Sequence, residues 1–257
     1  MNGDRYFWPV LGSIAVLVLS PALELIFESE LLYVLVLPAL IVFLWIVRML
    51  SRKEVGIGWG YGGVYAVAAL QPVVIMALVT AAVLVSGAGG REGIVYGTAG
   101  RHLLLMFVNT FIGSMITEEG FFRGVLWGVL ERSRRSPRVI LVWTAAVFAL
   151  WHLPVAIIEP DFSLPASIIP VYIANAFFLG LMWGLLRLVS GSIVVPALAH
   201  GVWNALAYVL YGYGSEAGIL GVTDFHIYGP ERGMLGLVLN AASFLLFWYW
   251  WKRRGRI

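Results

Sequence analysis

VYAVAALQPVVIMALVTAAVLV, Val64 to Val85, carries no charged side chain, and a helix that crosses the hydrocarbon core of a bilayer needs about 20 such residues. Comparable runs lie on either side of it, at Trp8 to Phe27, Leu31 to Val47, Leu103 to Leu130, Val139 to Ile158, Ile168 to Leu186, Ile193 to Tyr211 and Gly233 to Trp251. Open strands cannot span lipid, because their backbone N–H and C=O groups would go unpaired there. The runs therefore predict an all-α, polytopic transmembrane helix bundle of about eight spans. The composition agrees: 61% of the 257 residues are hydrophobic and 12% charged, about half the charge of a soluble domain, and the mean hydropathy is +0.90.

The first run is as long as the later ones and keeps Glu24 near its end, so it reads as a retained span rather than a cleaved signal. Gly, Pro and charge mark the connecting segments at Gly87 to Arg91, Glu159 to Pro165 and Gly212 to Arg232. None has the length of a separate soluble domain, and no internal repeat is evident, so residues 1–257 read as a single membrane domain. Cysteine is absent, which removes disulfides, thiolate nucleophiles and cysteine-held metals.

Basic residues test the span count, since cytoplasmic loops carry an excess of Lys and Arg. With both termini cytoplasmic, the inner segments hold Arg5, Arg48, Arg52, Lys53, Arg132, Arg134, Arg135, Arg138, Arg187, Lys252, Arg253, Arg254 and Arg256. The outer loops hold Arg91, Arg101 and Arg232, and Arg123, inside a span, completes the 17. A miscount of one span would scramble this alternation. The positive balance thus marks topology and gives no reason to expect a nucleic-acid partner. The protein is expected to be an integral, multi-pass membrane protein, in the cell membrane if the cell is prokaryotic, with Trp248 to Trp251 as an interfacial belt.

Ionisable side chains deep in a bilayer are costly and mark function. Mid-span there are Glu118, Glu119 and Arg123 in the fourth run, His152 in the fifth and His200 in the seventh, with Asn204 one turn beyond His200. Counted from the basic ends at 1.5 Å per residue, Glu118, His152, His200 and Asn204 all lie about 15 to 21 Å from the inner surface. Three helices thus deliver polar groups to one level. Each residue also has a plainer reading: Glu119 and Arg123, four apart, can pair along one helix face. A lone buried His or Asn is commonly a helix–helix contact, the role expected of Gln71, Asn109, Asn175 and Asn240. Pro154 and Pro196 near the histidines are expected to kink their helices and free backbone groups, while His102 and His226 fall where water reaches them.

Elimination narrows the chemistry. Asp4, Asp161 and Asp224 lie outside the spans, and no H-E-x-x-H or G-x-S-x-G pattern occurs. What is left is a carboxylate with imidazoles: Glu118 can take a proton from water held by His152, and His200 with Asn204 can donate to the oxyanion on an attacked carbonyl. A Glu and two His would also suffice for zinc with an open position; the reading preferred is one with no metal or other cofactor.

Glu118-Glu-Gly-Phe-Phe-Arg123 has the form E-E-x-x-x-R, Phe148 to His152 the form F-x-x-x-H, and His200 to Asn204 the form H-x-x-x-N. In this order and on separate spans they resemble the CPBP family, also called ABI, of type II CAAX prenyl proteases and bacteriocin-processing enzymes. The resemblance covers about residues 103–211, and no motif position departs from the pattern. It implies an intramembrane endopeptidase in which Glu118 and His152 activate water, His200 and Asn204 form the oxyanion site, and Glu119, Arg123 and Phe148 support them. Its partners would be the lipid bilayer and a peptide or protein substrate at the membrane, prenylated or not. Two other readings are a polar-pocket transporter and a non-catalytic scaffold or immunity-type protein.

Overall fold

The computed structural model describes residues 4–90, 96–158, 164–214 and 216–255. Arg91, Asp161, Arg256, the side chain of Arg5 and most of the Glu159–Pro165 loop lie outside the described residues. Among those described, eight helices are long and apolar enough to cross a membrane.

Helices α1 (Asp4–Phe27) and α2 (Glu30–Arg48) form a hairpin. Its turn places Glu28 at φ 50°, and the Ser29 hydroxyl caps α2 by accepting from the Leu32 N–H. Met49 closes α2 in the left-handed region, and the short α3 (Arg52–Val55) opens on a reciprocal Ser51/Glu54 capping box. Helix α4 (Tyr65–Ser86) crosses next.

The run predicted as one helix from Leu103 to Leu130 is divided. Helix α5 spans Tyr96–Ile116, a π-helical segment covers Glu119–Val125, and α6 spans Leu126–Arg132. Within it the Leu126 N–H reaches back five residues to the Phe121 carbonyl, the π pattern that recurs at functional sites. Glycine permits the tight start: a Cβ on Gly120 would lie 2.9 Å from the Met115 carbonyl oxygen and 2.9 Å from Ile41 Cδ1.

The fifth run divides too, into α7 (Pro137–Trp151) and α8 (Leu153–Ile158), with His152 between them. Pro154 has no N–H for the Leu150 carbonyl and its ring crowds that turn. Helix α9 (Ile169–Ser190) then packs on α7, and α10 (Val194–Tyr211) on α4 and α5. Pro196 differs from expectation: it sits in the first turn of α10, where its missing N–H would have no helical partner anyway, so it produces no kink at His200.

Gly180 and Gly184 of α9, four apart, face α7. A Cβ on Gly180 would meet Ala145 Cα at 3.1 Å, so the two backbones approach through a small-residue seam. After α10, a two-residue hairpin pairs Gly212–Tyr213 with Glu216–Ala217, and α11 (Phe225–Tyr228) leads into α12 (Met234–Arg253). Of the asparagines expected between helices, Asn240 donates to Asn175 Oδ1 at 2.9 Å and Asn175 donates to the Pro230 carbonyl at 2.6 Å. Gln71 is not such a contact. Both its amide atoms are buried without a partner, facing an apolar groove between α4 and α12.

Candidate active site

The break at His152 decides where its ring points. The His152 N–H turns to the Ala149 carbonyl at 3.1 Å, which frees the Phe148 carbonyl four residues back. That oxygen lies 2.8 Å from His152 Nδ1. A carbonyl only accepts, so Nδ1 carries the proton and the neutral ring presents the Nε2 lone pair. Nε2 lies 3.8 Å from Glu118 Oε2. Phe148, one turn before, packs against this ring at a tilt of 55° with centroids 4.5 Å apart.

The π segment sets the two neighbouring glutamates on different tasks. Glu118 is open to a cavity, its side chain 18% exposed, while that of Glu119 is 0% exposed. Glu119 Oε1 accepts from Arg123 Nη1 at 3.2 Å and lies 3.0 Å from His200 Nδ1. Arg123, equally buried, donates through Nη2 to the Gly180 carbonyl at 3.0 Å and lies 4.4 Å from the Phe148 ring centre. Arg187 of α9 braces the motif from behind, donating from Nε to the Arg123 carbonyl.

His200 therefore stands between two carboxylates. Its Nδ1 faces Glu119, and its Nε2 lies 4.0 Å from the same Glu118 Oε2 that faces His152. Trp183 stacks flat on the His200 ring, centroids 3.9 Å apart and planes 18° from parallel. Glu118 Oε2, buried and without a hydrogen-bond partner, is thus flanked by the Nε2 atoms of both histidines. Asn204 lines the same cavity, its carboxamide without a partner among the described residues.

The cavity holds about 140 Å³, room for several waters. Besides Glu118, His152, His200 and Asn204 it is lined by residues that no motif singles out, among them Tyr33, Tyr172, Tyr208, Glu30 and Glu231. Tyr33 donates to the Trp151 carbonyl, tying α2 to the end of α7. Glu231 accepts from Trp203 Nε1 at 3.0 Å, and burial pushes its carboxyl above the usual carboxylate range. It escaped notice because it lies in a loop with no motif around it. The signal that could have found it is the Pro230–Glu231–Arg232 cluster just before the last span.

A tetrahedral zinc with Zn–N and Zn–O bonds near 2.0–2.1 Å spaces its ligand atoms about 3.3 Å apart. The 3.8 and 4.0 Å separations at Glu118 are wider, and among the described residues no set of three His, Cys, Asp or Glu is disposed to hold a metal ion. As placed, Glu118 stands farther from both imidazoles than zinc ligands stand from one another. The spacing does suit one water, which can donate an O–H to each of two acceptors this far apart.

Residues 100–206 match the family model described as Type II CAAX prenyl endopeptidase Rce1-like. No curated protein and no solved structure matches the chain. The matched stretch runs from α5 to the middle of α10 and so contains Glu118, Glu119, Arg123, His152, His200 and Asn204. Over that stretch this multi-pass membrane protein is similar to the Rce1-like type II CAAX prenyl endopeptidases.

Proposed function

We propose that the chain is an endopeptidase that hydrolyses peptide bonds of membrane-associated polypeptides, with Glu118 as general base. The observation that carries this reading is Glu118 Oε2, unpartnered in the cavity with both histidine Nε2 atoms about it. A water in the 3.8 Å gap donates one O–H to Glu118 and the other to the His152 Nε2 lone pair. Glu118 takes the first proton as the water oxygen bonds to the scissile carbonyl carbon. The carbonyl oxygen becomes an oxyanion and accepts from His200 Nε2–H and the Asn204 amide. The C–N bond then breaks, and Glu118 passes its proton to the leaving amine.

The contact with Glu119 supports the part given to His200. Glu119 already accepts from Arg123, so its carboxylate accepts the Nδ1–H of His200. Nε2 can donate as well when the ring carries both protons, with the Glu119 carboxylate as its counter-ion.

The test is turnover of a panel of membrane-proximal peptides by purified protein and by Glu118→Gln. Loss of the base is expected to lower kcat by about 10²- to 10⁴-fold. Equal turnover by both forms refutes the assignment. The same protein is expected to keep its activity after exhaustive chelation with no metal detectable in it, and activity lost on chelation and regained with zinc refutes the metal-free scheme.

A further inference from the structure

We propose that the active-site cavity is loaded from the membrane face opposite the basic ends of the helices, so that its substrates are polypeptide segments exposed on the outer side. This rests on the peptidase reading above, and it concerns which substrates that site can reach.

The cavity lining runs in one direction only. From Glu118, His200 and Trp183 at mid-depth it passes Tyr172 near the start of α9 and ends at Glu30, Tyr213 and Glu231. Glu30 opens α2 and is exposed, Tyr213 belongs to the hairpin after α10, and Glu231 precedes α12. These three share one end of the bundle. Towards the other end the site is plugged: Phe121, Phe122, Val125 and Leu126 are each fully buried directly after Glu119. The Arg123–Glu119 pair and the Arg187 brace fill the space behind them.

That plugged end carries the positive charge. Arg48, Arg52, Lys53, Arg132, Arg134 and Arg138 all lie at helix ends or in the turns between them on that side of the bundle. Lys/Arg bias over short loops fixes orientation, so the mouth at Glu30, Tyr213 and Glu231 faces outward. The mouth is also built rather than loose. Asn240 and Asn175 hold the Pro230 carbonyl in sequence, and Trp203 holds the next residue, Glu231.

The chain has no native cysteine, so single cysteines report sidedness without background. Glu216→Cys, on the exposed hairpin beside the mouth, and Lys53→Cys, at the basic end, are to be treated in right-side-out vesicles with a membrane-impermeant maleimide. Glu216→Cys is expected to label at once and Lys53→Cys only after permeabilisation; the reverse pattern overturns the proposal. Two reporters, each one transmembrane helix with the same cleavable segment on its outer or its inner flank, supply the second readout. Cutting of the outer reporter with loss of cutting of the inner one is expected. Cutting confined to the inner reporter overturns the outward mouth while leaving the hydrolase intact. If neither reporter is cut, the peptidase reading is what fails, and the labelling alone decides which way the mouth faces.

Discussion

Exchange of Glu119 for Gln separates catalysis from support within a single buried cluster. Glu119 Oε1 serves Arg123 at 3.2 Å and His200 at 3.0 Å with no exposure to solvent, and an amide keeps its shape while removing its charge. Two consequences follow. Arg123 keeps the Gly180 carbonyl and the Phe148 face but loses its counter-ion, which costs about 3–5 kcal/mol of stability. His200 loses the carboxylate at its Nδ1, and if Nε2 is the proposed donor to the oxyanion, the loss of that donor is worth about 10²- to 10³-fold in kcat.

The two effects part in the double variant Glu119→Gln/Arg123→Met. Methionine fills the arginine's place with an unbranched, apolar side chain, so no charge is stranded, and removal of a whole buried pair is often close to neutral. Most of the lost stability is therefore expected to return while kcat stays low. Thermal unfolding in detergent reads the first quantity and single-turnover peptide cleavage the second. If the double variant regains wild-type turnover together with its stability, Glu119 acts only through Arg123, and its support of the His200 donor is wrong.

Two further outcomes test the frame around the site. Gly180→Ala would bring a methyl group 3.1 Å from Ala145 Cα and 3.3 Å from Arg123 Nη2, parting α7 from α9 at a cost of about 1–3 kcal/mol. Gly184→Ala meets side chains rather than backbone, the end of Leu141 at 2.6 Å and Trp127 at 3.6 Å, so a melting temperature lowered equally by both variants argues against the close seam. Glu231 has its carboxyl raised by burial, so the folded chain binds a proton that the unfolded chain gives up near the ordinary value of 4.5. Stability is therefore expected to fall as pH rises from about 4.5 through the folded value. Glu231→Gln is expected to flatten that slope in melts taken across pH, and an unchanged slope would show that the carboxyl is not walled in.

The bundle was legible because its signal is additive: each span is a run of about 20 apolar residues, and one polar side chain such as Gln71 does not erase it. The eight membrane-length helices among the described residues follow the eight predicted runs closely, as Tyr6–Phe27 and Met234–Arg253 illustrate. Proline was legible only in part. Pro154 breaks its helix as its chemistry requires, whereas Pro196 does nothing visible, because its distance from the helix start decides the outcome and that boundary is the least certain feature of a sequence reading. The π segment left no trace in hydropathy. It depends on Gly120 fitting against the Met115 carbonyl and Ile41, and the second of these is a contact with α2, far away in the chain.

That unforeseen segment bears directly on the pair of glutamates. In a regular helix, adjacent residues diverge by about 100°, so two carboxylates in sequence are expected to face different surroundings, one paired with Arg123 and the other in the cavity. The structure instead brings both to one imidazole, Glu119 at Nδ1 and Glu118 facing Nε2. The widened turn keeps Glu119 sealed while Glu118 stays open to the cavity. A carboxylate that must exchange protons with water needs access, and one that must hold a neighbour's charge needs seclusion from it. The two requirements conflict at a single residue, and the E-E pair at the head of a π turn meets them with two.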